Sequence, residues 1–326
     1  MASENLTGEE LADRAANRVT LGDITRAVRT RQWAKNGLIF AGFLFAGHLR
    51  LPQADLLAEA TRVLLAFLCF CALSGAAYLI NDWHDIERDR LHPLKKYRPL
   101  ASGRISTRLA LALIIFLFAA AALLAFAVWR LHPDAWGFPI TAALYLALTL
   151  GYSFVLKHEV IIDVIGLAAG FVLRVVAGCL ALPVTISPWI IFCTFTLALF
   201  ITLCKRRAEL LEMGEHSANT RRVLPLYSLE MLDTFIAIAA GLTITSYSLY
   251  TFLARESTAL SPTIRQGQPS PLLMTTIPFV VYGVFRYLFL AHSSAVGGEP
   301  ERMLKDKRLV LNVLLWALVV AILTVL

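Results

Sequence analysis

Charged residues are scarce in this sequence: they make up 16% of its 326 residues, whereas hydrophobic residues make up 58%. The mean hydropathy is accordingly high, at +0.66. A soluble domain of this length has no need for so many apolar runs, so the composition indicates a polytopic membrane protein. The excess of 30 Lys and Arg over 23 Asp and Glu then points to membrane topology and anionic ligands. We therefore expect the membrane bilayer as a partner, and no nucleic acid.

The sequence also lacks the patterns of a transition-metal site. Its five cysteines form no Cys-x-x-Cys and its seven histidines no His-x-x-x-His, which argues against zinc. The cysteines lie in or beside apolar runs, where small core residues are expected. No apolar segment of a signal peptide occurs in the first 18 residues. We predict a mobile cytoplasmic tail at 1–25 and one transmembrane domain at 26–326.

Apolar runs of spanning length predict an all-α fold with nine transmembrane helices. The first run is short and would need residues 33–36 inside the interface to cross fully. The predicted spans are 37–49, 57–81, 108–129, 136–156, 159–181, 188–204, 232–253, 271–290 and 308–326.

Lys and Arg concentrate on one side of these spans: before span 1 and in the loops that follow spans 2, 4, 6 and 8. Positive charge favours the cytoplasmic side. We therefore predict a multi-pass protein of a bacterial cytoplasmic (inner) membrane, with the N-terminus in the cytoplasm and the C-terminus outside.

A dense acidic stretch, 81–89, follows span 2 directly. If the helix continues at about 100° per residue, Asn81, Asp82, Asp85 and Asp89 share one face. Oxygen ligands of this kind suit a magnesium ion that carries substrate phosphates. A solvated helix end with ordinary ion pairs is the alternative.

Further polar residues are expected on the same cytoplasmic side. Lys95 and Arg98 can contact phosphates, although a basic loop is also expected from topology alone. Arg174 lies inside an apolar span, where a charge costs at least ~2.5 kcal/mol. It is expected either to pair with Asp163 or to contact a phosphate. The remaining candidates are Arg31, Lys35 and Asn36 before span 1, Tyr152 and Lys157 near the 4–5 turn, and Lys205, Arg206 and Glu209 after span 6.

These residues resemble the UbiA superfamily of intramembrane prenyltransferases, in which nine helices surround a central cavity open to the cytoplasm. The run Asn81-Asp82-x-x-Asp85-x-x-x-Asp89 is similar to the first aspartate-rich motif of that superfamily, which binds Mg²⁺ and a pyrophosphate.

Other segments are similar to the decaprenyl-phosphate phosphoribosyltransferase branch, and the resemblance covers residue 26 onward. They are Arg31-Gln32-Trp33-Ala34-Lys35-Asn36, His92-Pro93-x-Lys95-x-x-Arg98-Pro99 with Ala101-Ser102-Gly103, Leu156-Lys157-His158, Lys205-Arg206-x-Ala208-Glu209-Leu210 and Gly297-Gly298-Glu299-Pro300-Glu301. Thr30 departs from this branch, where proline is expected. The second aspartate-rich motif of quinone-type members is missing, since 205–230 contain no aspartate.

The resemblance implies transfer of 5-phosphoribose from phosphoribosyl pyrophosphate to a polyprenyl phosphate, such as decaprenyl phosphate, with release of pyrophosphate. Asn81, Asp82, Asp85 and Asp89 would bind Mg²⁺, and Lys157 would join the three aspartates as a catalytic residue. The missing second motif argues against a prenyl diphosphate donor. Two alternatives stay open: a prenyltransferase that acts on an aromatic acceptor, and a transporter. The sequence leaves the oligomeric state open, a homo-oligomer included.

Overall fold

A computed structural model of the chain describes residues 19–45, 53–92, 95–182, 184, 186–213, 223–257, 271–293 and 306–325. These residues form helices and their connections, with no strand among them. Short 3-10 segments occur at Thr30–Phe40, Lys95–Tyr97, Leu156–His158, Leu224–Leu226 and Pro271–Thr276. We number the α-helices α1 (Leu21–Ala27), α2 (Ala41–Phe45), α3 (Gln53–His84), α4 (Ile86–Leu91), α5 (Thr107–Leu131), α6 (Gly137–Phe154), α7 (Ile162–Leu180), α8 (Pro188–Met213), α9 (Leu229–Ser257), α10 (Ile277–His292) and α11 (Lys307–Val325).

Seven of these helices are long and apolar enough to cross a membrane, within the part of the chain that the structure describes. They are α3 and α5 to α10, and they correspond to predicted spans 2 to 8. The first predicted span falls on a 3-10 segment and α2, and its residues 46–49 lie outside the described residues. The ninth corresponds to helix α11. The total of nine spans therefore stays a prediction.

The chain divides into two compact units: residues 1–36 with 68–124, and residues 37–67 with 125–326. In the first unit, a capping box starts α1, because Thr20 Oγ1 accepts the Asp23 N–H and Asp23 in turn accepts the Thr20 N–H. The core of this unit joins α1, α3 and the start of α5 through Ala27, Val28, Leu79, Leu100, Ile105, Ala110 and Ile114. The tail residues 1–18 lie outside the described part, so the domain boundary at residue 25 stays a prediction.

In the second unit, α6, α7, α8 and α9 pack in chain order, and α10 contacts both α9 and α11. One core cluster of this unit includes Phe200, Leu232 and Ile236. Helix α7 approaches the start of this unit so closely that a Cβ at Gly178 would lie 2.0 Å from the carbonyl oxygen of Ile39. Only glycine fits there without a backbone shift.

Candidate active site

In the first unit, the acidic stretch lies where α3 gives way to α4. Helix α3 ends at His84, and Asp85 separates the two helices with φ −93° and ψ 9°. The i to i+4 backbone bonds nevertheless continue, since Asp85 N–H donates to Asn81 O and Asp89 N–H to Asp85 O. Residues 81, 85 and 89 therefore stay on one side of the chain.

Arg98 joins two of the aspartates. Its Nη1 atom lies 3.0 Å from Asp82 Oδ1 and 2.6 Å from Asp89 Oδ2. Asp82 is 3% exposed and Asp89 is 2% exposed, so both carboxylates require compensating partners. One guanidinium group thus brings two buried carboxylates, seven residues apart in sequence, to a single point.

Arg29 is a second cation at this point, although it is not among the site residues that the sequence predicts. Its Nη2 atom lies 2.5 Å from Asp82 Oδ1, and its guanidinium lies 4.7 Å from the centre of the Tyr78 ring. The backbone of Arg29 has φ 53°, a left-handed conformation that few non-glycine residues adopt. No sequence signal predicts such a conformation at an arginine.

Asp85 belongs to a different set of contacts. Its Oδ2 atom lies 3.4 Å from Asn81 Nδ2, and its Oδ1 atom lies 3.2 Å from His84 Nδ1. Among the described residues, no three His, Cys, Asp or Glu side chains are grouped closely enough to hold a metal ion by themselves. Of the four predicted ligands, Asp82 and Asp89 share Arg98, while Asn81 donates to Asp85.

The residues present nevertheless fit a magnesium ion. Magnesium commonly takes only one or two carboxylates from a protein and completes its octahedron with water and substrate phosphates. Asp82 and Asp89 supply two carboxylate oxygens that already meet at one cationic atom, Arg98 Nη1. Asp85 and the carbonyl oxygen of the Asn81 side chain lie on the neighbouring turn.

The remaining candidates of the first unit have different surroundings. Lys95 is itself half-buried and begins a 3-10 turn whose other residues are exposed. Its backbone N–H donates to His92 Nδ1 at 3.3 Å. Burial and the charge of Lys95 lower the pKa of His92, which favours the neutral imidazole that this bond requires. Arg31 is exposed and Lys35 is partly buried. Asn36 is fully buried and donates to Ser74 Oγ at 3.2 Å.

In the second unit, Arg206 lies at the centre of a buried polar network. It donates to Asp163 Oδ2 at 2.6 Å, to Glu209 Oε2 at 2.6 Å and to the Tyr152 hydroxyl at 3.0 Å. The side chains of Arg206 and Asp163 are both 0% exposed. The substrate-binding role expected of Arg206 stays a prediction. Lys205 Nζ lies 3.8 Å from Glu209 Oε1 and is partly exposed.

Arg174 does not form the expected pair with Asp163, because Arg206 and Tyr227 bind that carboxylate. Arg174 instead donates to Gly170 O at 2.8 Å and to the Tyr145 hydroxyl at 2.7 Å. Its guanidinium also lies 4.6 Å from the centre of the Tyr145 ring. These contacts stabilise the charge inside the apolar helix α7.

Lys157 and Tyr152 lie on either side of the end of α6. Lys157 belongs to the 3-10 turn Leu156–His158, which connects α6 to α7, and it is partly exposed. Asp163, which follows this turn, is fully buried. The segment Gly297–Glu301, which contributed to the family resemblance, lies outside the described residues.

A family model described as the UbiA prenyltransferase family matches residues 37–295 of this chain. The chain therefore belongs to the UbiA prenyltransferase family, and the expected all-α, multi-pass membrane fold is confirmed. A solved UbiA homolog from Archaeoglobus fulgidus, bound to DMAPP and Mg2+, superposes with a TM-score of 0.66 over 93% of this chain and 99% of that one. At 18% identity, this likeness concerns the fold alone.

Two curated relatives show the branch of the family to which this chain is similar. The chain is 32% identical over 296 residues to the decaprenyl-phosphate phosphoribosyltransferase of Mycolicibacterium smegmatis, which covers 90% of this chain and 89% of that protein. It is also 32% identical over 292 residues to the decaprenyl-phosphate phosphoribosyltransferase of Corynebacterium glutamicum, which covers 89% of this chain and 83% of that protein. The resemblance inferred from the motifs is thereby confirmed.

Proposed function

We propose that this protein transfers 5-phosphoribose from phosphoribosyl pyrophosphate to a polyprenyl phosphate, such as decaprenyl phosphate, and releases pyrophosphate. The observation that carries the proposal is the 32% identity, over nine-tenths of the chain, to a protein named for this activity. The lack of aspartate in 205–230 supports it, since a monophosphate acceptor needs no second metal-binding motif. In the reaction, the bond between ribose C1 and the pyrophosphate oxygen breaks and a bond from C1 to the lipid phosphate oxygen forms.

The acidic residues of 81–89 are proposed as the magnesium site, with Asp82 and Asp89 as principal ligands and Asn81 and Asp85 completing the set. A bound magnesium ion would stabilise the negative charge that develops on the departing pyrophosphate. The attacking phosphate oxygen is already anionic at neutral pH, so the protein does not need a strong general base. Its contribution is mainly to orient the reactants and balance their charge.

The cations are proposed as phosphate contacts. Arg98 and Arg29 lie against the aspartates, and Arg98 is 27% exposed, so a ligand can reach it. Lys95 and Lys157 are proposed to contact phosphates of the soluble donor, and Arg31 and Lys35 to contact either phosphate. Tyr152, Lys205 and Glu209 are proposed as further substrate-binding residues. Arg206, Arg174 and Asn36 support neighbouring groups rather than substrate, because their polar atoms are buried in protein contacts.

The placement in the membrane follows from the distribution of charge. We propose that 81–89 face the cytoplasm of a bacterium, with the N-terminus on the same side and the C-terminus outside. A soluble sugar pyrophosphate would then reach the aspartates directly, while apolar helices hold the polyprenyl tail.

The test is a lipid-labelling assay. Membranes that contain the chain should transfer label from ribose-labelled phosphoribosyl pyrophosphate into the organic phase when decaprenyl phosphate and Mg²⁺ are supplied. Asp82→Asn should lower kcat by roughly 100-fold, the scale seen when one electrostatic contact to a developing charge is removed. Asp134→Asn, on the exposed turn before α6, is the matched control and should leave the rate unchanged.

The chain would instead be a prenyltransferase if the label never enters a lipid and a prenyl diphosphate is consumed in the presence of an aromatic acid. Accumulation of unmodified substrate inside proteoliposomes would identify a transporter.

A further inference from the structure

The connection from α6 to α7, residues 155–161, has an unusual backbone; we call it the Lys157 turn. At its end, Ile161 has φ 70° and ψ −45°, and the Ile162 N–H donates to Val160 O at 2.8 Å. This is a γ-turn of the rare, strained type. A β-branched residue with positive φ is a clear outlier, and such strain persists only where surrounding structure enforces it.

The enforcing contact comes from Tyr227. Its hydroxyl accepts the Ile161 N–H at 2.7 Å and donates to Asp163 Oδ1 at 2.7 Å. Burial raises the pKa of the Tyr227 phenol, so the hydroxyl keeps the proton that it donates to Asp163. One buried oxygen atom therefore connects the strained peptide to the first turn of α7.

Arg206 completes this clamp on both sides of the turn. It binds Asp163, which follows the turn, and Tyr152, which precedes it. Asp163 and Arg206 are fully buried and Tyr227 is 3% exposed, so the bonds among them are shielded from water and correspondingly strong. The Lys157 turn is thus held at both ends by one network, while Lys157 itself stays partly exposed.

We propose that Tyr227, with Asp163 and Arg206 behind it, is a positioning residue that holds the Lys157 turn in its strained conformation so that Lys157 can bind a phosphate of the donor. This proposal rests on the proposed function, because the donor is the pyrophosphate substrate named there. A relaxed turn would have several backbone conformations, and donor binding would then have to select one of them. The clamp therefore affects affinity for the donor, not for the lipid acceptor.

Tyr227→Phe removes only the hydroxyl and keeps the ring in the core. We expect KM for phosphoribosyl pyrophosphate to rise about tenfold, which corresponds to about 1.4 kcal/mol, with KM for the polyprenyl phosphate unchanged. Adding Ile161→Gly should restore most of the donor affinity, since glycine adopts positive φ without strain. Tyr287→Phe is the matched control, because Tyr287 is a partly buried tyrosine packed against the core cluster that contains Tyr227.

Amide hydrogen exchange separates this inference from the proposed function. In the wild type, inorganic pyrophosphate with Mg²⁺ should slow exchange across residues 155–162, and Tyr227→Phe should abolish most of that protection. If wild type does not label lipid from phosphoribosyl pyrophosphate, the proposed function is wrong, and the exchange data still decide whether the clamp positions the turn for a phosphate. A Tyr227→Phe enzyme with an unchanged donor KM would overturn the inference. An equal rise in KM for both substrates that Ile161→Gly does not reverse would overturn it too, because that result indicates a merely structural role for Tyr227.

Discussion

Replacing Arg98 by alanine tests whether two buried carboxylates depend on one cation. The substitution removes two charge-assisted hydrogen bonds, each worth about 1.5–3 kcal/mol. Asp82 keeps its bond to Arg29, whereas Asp89, at 2% exposure, loses its ion-pair partner. Breaking a buried pair typically costs about 3–5 kcal/mol, and the partial exposure of Arg98 places our expectation near the lower limit, at about 3 kcal/mol.

The assay is thermal unfolding of the purified protein in detergent. Lys96→Ala serves as the control, because Lys96 is an exposed cation on the same segment, 5.2 Å from the Tyr97 ring centre, and should cost less than about 1 kcal/mol. Asp89→Asn in the Arg98→Ala background should recover part of the loss, since it removes the uncompensated charge. Mg²⁺ should raise the Tm of Arg98→Ala more than that of the wild type, because the ion then replaces the missing positive charge.

Equal Tm values for Arg98→Ala and Lys96→Ala would refute the reasoning about burial. A Tm of Arg98→Ala that does not respond to Mg²⁺ would refute the assignment of Asp82 and Asp89 as principal magnesium ligands.

Two further predictions concern the second unit. Gly178→Ala should lower the free energy of unfolding by about 1–3 kcal/mol through overpacking. Gly241→Ala is the control and should be neutral or stabilising, because this helical glycine has open space around it. Equal Tm values for the two variants in thermal unfolding would contradict the close approach of Gly178 to Ile39. The hydrogen bonds from Arg286 and from the Leu309 N–H lower the pKa of Asp306 below its ordinary 3.8. Asp306 therefore stabilises the fold fully at a pH above its pKa in the unfolded chain, and this stabilisation is lost as the pH falls through its pKa in the folded protein. The Tm difference between wild type and Asp306→Asn should be constant above about pH 5 and should shrink in more acidic solution. A difference that grows with acidity would contradict the lowered pKa of Asp306.

The sequence was sufficient for the helical architecture, because that architecture depends on local properties. Apolar runs of about 20 residues predict membrane helices, and seven of the predicted spans coincide with helices of spanning length. The aspartate motif was also recognisable, since its spacing follows the helical repeat.

The contacts between helices could not be predicted in the same way. Asp163 pairs with Arg206, 43 residues away, rather than with Arg174, which is nearer in sequence and on the same helix. Periodicity indicates which residues share a helix face, but the partner of a buried charge depends on which other helix packs against that face. Tyr227 was missed for this reason, because nothing local distinguishes it from other aromatic residues.

The acidic site shows the same division between local and tertiary information. The sequence alone determined that Asn81, Asp82, Asp85 and Asp89 lie together at a helix end, because their order along a helix requires it. Only the tertiary structure decided that Arg98 joins Asp82 to Asp89 and that Arg29 also binds Asp82. The physical reason is that Arg29 reaches Asp82 through a left-handed backbone conformation, whose cost is compensated by long-range contacts to a buried carboxylate.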